Sequence, residues 1–164
     1  MKALLVISML LMLTVAGSAQ VSVPTKDERS QFSQDVYGLG VSASVVSGFG
    51  LSFRHHLPSD MSYQLVAGVI KSGGNVIYNF GGEGQLDIAR GEKTRFYSCA
   101  GLGYFHSGSS GSNDLDGPFR VGAGIGGEWR NLDLVHISGG LLFTYFSDGT
   151  ILPLPEVSVH YYFY

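Results

Sequence analysis

Residues 119–130 read FRVGAGIGGEWR. Phe119, Val121, Ala123, Ile125 and Trp129 occupy odd positions; Arg120, Gly122, Gly124, Gly126, Glu128 and Arg130 occupy even ones. Successive side chains of an extended chain point to opposite sides, so this stretch predicts a strand with one apolar face and one face of glycine and charge. Gly122–Gly127 also spells GxGxxG. A dinucleotide-binding loop needs that string between a strand and a helix. Here the strand pattern continues to Trp129, and nothing helical follows.

The same pattern recurs on both sides of this stretch. From Val36 onward the chain alternates in eight segments of roughly ten residues separated by turn signals. The others are Val36–Val46, Phe49–Leu57, Met61–Val69, Val76–Ile88, Arg95–Tyr104, Val135–Tyr145 and Glu156–Phe163. Ser47-Gly48, Pro58-Ser59-Asp60, Ser72-Gly73-Gly74-Asn75 and Arg90-Gly91-Glu92-Lys93 punctuate the first half. Eight strands with short connections suit antiparallel neighbours, and ~9–11 residues suffice to cross a bilayer at a tilt.

Alternation alone also suits a soluble lipocalin-like barrel, and the choice rests on which face is wet. The polar face carries no lysine, is rich in glycine, and holds four acids and four bases. The acids are Glu83, Asp87, Glu128 and Glu156; the bases are Arg54, Arg95, Arg120 and Arg130. Equal numbers are what an enclosed network requires, because an unpaired buried charge is costly. A narrow eight-strand interior also needs small residues where large ones cross it. On the apolar face the aromatics sort to the strand ends. Tyr37, Tyr63, Phe96, Trp129, Tyr161 and Phe163 mark one end; Phe49, Tyr78, Tyr104, Phe119, Phe143 and Tyr145 mark the other. Two such girdles around an apolar band predict a transmembrane barrel with lipid outside and polar side chains within.

Composition agrees. The 164 residues include 24 Gly, 10 Phe and 9 Tyr, with only 14% charged. Interior glycine disfavours helices by roughly 1 kcal/mol each relative to Ala. A single cysteine excludes a disulfide framework and a Cys-cluster zinc site. A net charge of −3 lacks the basic footprint of a nucleic-acid binder. Residues 1–19 (MKALLVISMLLMLTVAGSA) have a cationic start, a short apolar run and small residues at the end, the pattern of a secretory signal peptide. Residues 20–35 read as a polar N-terminal arm, and 36–164 as one barrel domain.

The signal peptide, the eight alternating strands and the aromatic end Val157-Ser158-Val159-His160-Tyr161-Tyr162-Phe163-Tyr164 resemble the small OmpA/OmpX-type outer-membrane β-barrel family. The resemblance covers residues 36–164. It implies a cell outer-membrane location, lipid and lipopolysaccharide as surroundings, and recognition of the C-terminal strand by the barrel-assembly machinery. In this chain the last outward aromatic is Phe163, with Tyr164 one residue beyond.

Four smaller constellations invite chemistry. His55 and His56 are adjacent, so a strand sends them to opposite faces and away from a shared ion. Asn113-Asp114-Leu115-Asp116-Gly117 is a fragment of a calcium-loop pattern without its distal bidentate Glu. His136-Ile137-Ser138 resembles the His-x-Ser element of the lipid A 3-O-deacylases, also eight-stranded barrels. That chemistry needs a carboxylate to orient the histidine, and the next acid in the chain is Asp148, at a loop. Cys99 faces inward and reads as an inert small residue.

The sequence therefore predicts an all-β, eight-stranded antiparallel transmembrane β-barrel with a side-chain-filled polar interior. It predicts a non-enzymatic, monomeric envelope protein without a cofactor or nucleic-acid partner. An outer-leaflet lipid-A-modifying hydrolase and a soluble exported ligand binder are the alternatives.

Overall fold

A computed structural model describes residues 35–72, 74–108, 113–132 and 134–163. The signal peptide read at 1–19, the arm up to residue 34 and the extra C-terminal Tyr164 lie outside them. Eight strands follow in chain order: β1 (Val36–Ser44), β2 (Gly48–His56), β3 (Met61–Ser72), β4 (Asn75–Arg90), β5 (Thr94–Gly108), β6 (Phe119–Leu132), β7 (Val135–Phe146) and β8 (Ile151–Phe163). Each pairs antiparallel with its sequence neighbours, and β8 closes on β1 to complete the barrel. The seam runs from Tyr37 opposite Phe163 to Ala43 opposite Val157. Closure leaves the paired backbone without an open edge along that seam, as lipid demands.

The two faces sort as alternation requires. Leu51 is 77% exposed and Leu102 63% exposed on the outside, whereas Arg54, Arg95 and Glu128 are at most 2% exposed inside. This arrangement overturns the soluble ligand-binder alternative, which would put the apolar side chains in the core. Ten of the twelve girdle aromatics are exposed on the outer wall; Tyr104 and Phe49 are half-buried.

β1 and β2 are shorter than the other six strands, and their connection does not rise above the rim. Residues 45–47 turn into the lumen, where Val46 and Ser47 are fully buried. Glycines on the facing walls make this room. A Cβ at Gly81 would come within 2.4 Å of the Ser47 carbonyl oxygen, and one at Gly103 within 2.1 Å of the Val46 carbonyl oxygen. A Cβ at Gly122 would meet the Val46 side chain at 2.6 Å. The inward bend uses Gly48 and Gly50 at φ +114° and +125°, values that L side chains rarely adopt. The sequence reading took Ser47-Gly48 as an ordinary outer turn; it is instead an internal stopper.

The lumen consequently has two halves. Toward the end holding the chain termini it is polar. Toward the other end Val46, Tyr97, Cys99 and Leu142 form an apolar cluster, with Phe105 also buried. The predicted polar interior continues there, since Ser42, Ser44, Ser47, Asn79 and Thr144 are buried in the same half. β8 also begins earlier than its alternation suggests, because Pro153 and Pro155 interrupt the pattern. Residues 151–155 pair with β7 but not with the shorter β1. Proline, lacking an N–H, is tolerated at such a one-sided edge.

Candidate functional site

The polar half is organised around Glu128, which β6 points into the lumen at a position paired with Arg95 on β5 and Ser138 on β7. One carboxylate oxygen, Oε2, accepts from Arg54 Nη1 at 2.8 Å and from Arg95 Nε and Nη2 at 2.9 and 2.7 Å. The other, Oε1, accepts from Tyr162 OH at 2.9 Å and from His136 Nδ1 at 2.8 Å. Two guanidinium groups, a phenol and an imidazole therefore surround one carboxylate that is shut off from solvent.

The remaining donors are also engaged. Arg54 reaches Gln64 Oε1, Ser138 Oγ at 3.1 Å and Ser158 Oγ at 3.0 Å. Arg95 donates to Asp87 Oδ1 at 2.7 Å, Gln85 Oε1 at 2.6 Å and Ser62 Oγ at 2.9 Å. His56 lies 2.9 Å from Ser62 Oγ through Nδ1 and 2.7 Å from Tyr162 OH through Nε2. With its proton on Nε2, each link in the chain from Arg95 through Ser62, His56 and Tyr162 to Glu128 has one donor and one acceptor. Two arginines against Glu128 and Asp87 leave the cluster balanced in formal charge. Such a network binds β2, β3, β4, β5, β6, β7 and β8 together across the lumen.

The eight inward charges read from the sequence do not form one network. The structure brings together Arg54, Arg95, Asp87 and Glu128. Arg120 instead lies over the Phe105 ring at 3.7 Å and beside the Phe146 ring at 5.0 Å, and donates to the Val45 carbonyl at 3.2 Å. Its cation–π contacts and carbonyl bond hold the internal stopper. Arg130 sits at the terminal end of β6, where its backbone N–H donates to the Lys93 carbonyl at 2.8 Å. Glu83 and Glu156 form a separate group with Cys99. Arg90, which the sequence reading assigned to a turn, ends β4 and bonds Asp87 at 2.5 Å and Ser59 O at 2.8 Å. Its composition-based turn signal concealed this role. Tyr162, His160, Gln64 and Gln85 lie on the predicted inward face, but uncharged groups escape a count of acids and bases.

His55 and His56 do face opposite ways. His55 lies on the outer wall, stacked on Tyr37 at 4.3 Å and edge-on to Tyr63 at 5.2 Å, with Asp35 on its Nε2. Asn113 pins its loop by accepting from Ser107 N–H at 3.0 Å and Leu115 N–H at 3.2 Å, and by donating to Phe105 O at 2.9 Å. Among the described residues this segment assembles no group of three metal-ligating side chains.

The carboxylate missing from the local His136-Ser138 spacing comes from β6, since Glu128 holds His136 Nδ1. The nucleophile does not follow. Ser138 Oγ is 2.5 Å from Ser158 Oγ and accepts from Arg54 Nη1, whose positive charge beside it opposes proton transfer to an imidazole. It is 3% exposed and faces the filled lumen, away from the lipid outside.

No protein-family model and no curated protein matches the chain. Solved structures do. The N-terminal β-barrel domain of Pseudomonas aeruginosa OprF aligns over 79% of this chain and 96% of its own, with TM-score 0.55 and 16% identity. Yersinia pestis Ail aligns over 79% of this chain in both its crystal and nanodisc structures, at TM-scores of 0.44 and 0.43 and identities of 10% and 15%. Together with the closed eight-strand order and the apolar exterior, the match to the OprF domain establishes that this chain has the fold of the small outer-membrane β-barrels of OmpA/OmpX type.

Proposed function

We propose that the protein is a non-enzymatic integral outer-membrane barrel serving envelope structure or surface interaction, with both termini in the periplasm. The observation that carries this reading is a lumen blocked at two levels inside an apolar wall. Arg54, Arg95, Glu128 and Tyr162 close the terminal half, and Val46, Tyr97 and Leu142 close the other. A filled eight-strand barrel offers neither an aqueous path nor a pocket for a substrate. The surfaces left to act are the outer wall and the connections after β3, β5 and β7. The outer wall meets lipid, those connections meet lipopolysaccharide, and the outward aromatics of β8 present the assembly signal. The protein functions as a monomer in this reading.

The test is expression of the full chain in a Gram-negative host. The expected protein resists extraction by carbonate and high salt, and its folded form migrates differently from the boiled form on a gel. Lipid A mass spectra stay unchanged. Loss of an acyl chain from lipid A that Ser138→Ala abolishes would overturn the non-enzymatic reading. Extraction by carbonate would overturn the membrane location.

A further inference from the structure

A second buried cluster lies between the charge network and the stopper. Glu83 on β4, Cys99 on β5 and Glu156 on β8 each offer a ligand atom, and these atoms all lie within 4.8 Å of one another. β4 and β5 are neighbours, whereas β8 stands across the lumen, so Glu156 reaches over to meet the other two. Its path is cleared by Gly140, where a Cβ would come within 2.9 Å of Glu156 Oε1. Among the described residues neither carboxylate has an ion-pair partner. Gln85 Nε2 donates to Glu83 Oε1 at 2.8 Å. Glu83 Oε2, on a residue only 4% exposed, receives no hydrogen bond. Ser44 bonds Glu156, whose carboxyl lies within hydrogen-bond reach of that of Glu83.

Two carboxyl groups enclosed together without a direct ion pair repel strongly when both are ionised. Either a shared proton or a bound cation removes that repulsion. The thiol decides between them. A sulfur beside two carboxylates is a mixed soft and hard donor set, which suits a borderline divalent ion such as zinc. Zinc bonds to sulfur at ~2.3 Å and to oxygen at ~2.0–2.2 Å, so ligand atoms about 3.5 Å apart surround it. Binding would require side-chain rotation to close the three atoms from their present spacing of up to 4.8 Å. Ser44 bonds Glu156 and Gln85 bonds Glu83, each holding a carboxylate as an outer-shell partner does.

We propose that Glu83, Cys99 and Glu156 form a structural site for a zinc-class divalent cation that cross-braces β4, β5 and β8. Because the lumen is closed on both sides, the ion enters while the barrel folds.

The experiment refolds the full barrel from urea with Zn²⁺ or Co²⁺, then removes loose metal and confirms folding by heat-modifiable migration. The expected result is one zinc per chain, a higher unfolding midpoint with zinc than without, and a thiolate-to-cobalt charge-transfer band. Cys99→Ser loses the band and the zinc-dependent stabilisation while still folding. Glu83→Gln and Glu156→Gln each weaken metal affinity at least about tenfold. Cys99→Ala serves where the serine variant fails to fold. Wild-type barrel that folds in the presence of zinc yet carries none overturns the proposal, as does a cobalt band that survives loss of Cys99. Greater stability of Glu156→Gln in metal-free buffer, with no zinc taken up by wild type, assigns the pair to a shared proton and also overturns it.

Discussion

Glu128 Oε2 lies 2.8 Å from Arg54 Nη1, joining β6 to β2 across the lumen, and neither residue is more than 2% exposed. The same oxygen takes two bonds from Arg95, so this one carboxylate compensates two enclosed guanidinium groups. No other described carboxylate touches Arg54, whereas Arg95 retains Asp87.

Removing that carboxylate is therefore worse than removing either arginine. Glu128→Ala removes the carboxylate that Arg54 touches, and the expected loss is about 3–5 kcal/mol of folding stability. Arg95→Met frees Asp87 to Arg90, which already bonds it, and costs less. Urea unfolding in phospholipid vesicles, followed by tryptophan fluorescence, measures both. Equal losses would show that Asp87, rather than Glu128, balances the site.

The stopper yields a prediction that separates side chain from backbone. Gly122→Ala and Gly103→Ala both intrude on Val46 and should each cost about 1–3 kcal/mol, as overpacking does. At Gly122 the nearest atom is Val46 Cγ2, so adding Val46→Ala restores much of the loss. At Gly103 it is the Val46 carbonyl oxygen, which that substitution leaves in place. A double-mutant cycle for each pair reads the difference as a coupling energy. Equal coupling at both glycines would refute the described turn geometry.

Depth in the membrane is readable on β6. Ile125 lies on the outer wall midway between the girdle residues Phe119 and Trp129. Ile125→Arg should cost about 2–4 kcal/mol in a bilayer, and Phe119→Arg only about 0–1 kcal/mol. Refolding titrations in vesicles give both values. Reversal of the order would displace the bilayer midplane from the centre of β6.

Trp129 provides an independent check, since it is the only tryptophan in the chain. A ring in an interfacial girdle should be quenched most by bromine carried high on the lipid chains and least by bromine near their ends. Strongest quenching by the deepest label would remove Trp129 from the girdle.

The strand count, the closure and the in-or-out sense of most side chains were legible because a period of two needs no tertiary information. Arg54, Arg95 and Glu128 could be placed inside on that basis alone. Their mutual contact was less legible, since Arg54 and Glu128 are separated by half the barrel and by 74 positions in sequence. The inward turn at 45–47 was hidden for a related reason. Val45 and Val46 read as the end of a strand, and only the glycines of β4, β5 and β6 show that something fills the space beside them. Arg120 matched the inward face but found aromatic rings in place of an acid, a choice that counting charges cannot reveal. Cys99 read alone is a small residue; it acquires chemical interest only when β8 carries Glu156 to it.

The internal turn joins β1 to β2, and β1 is also half of the closing seam. The stopper is therefore not a separable lid. It has no linker on which to swing, because Ser44 is already in a strand and Ala43 is already paired with Val157. Any motion that withdraws Val46 from the lumen must drag on the upper end of that seam. Permeability of this barrel is thus mechanically tied to its circumference: unplugging it means beginning to unzip it.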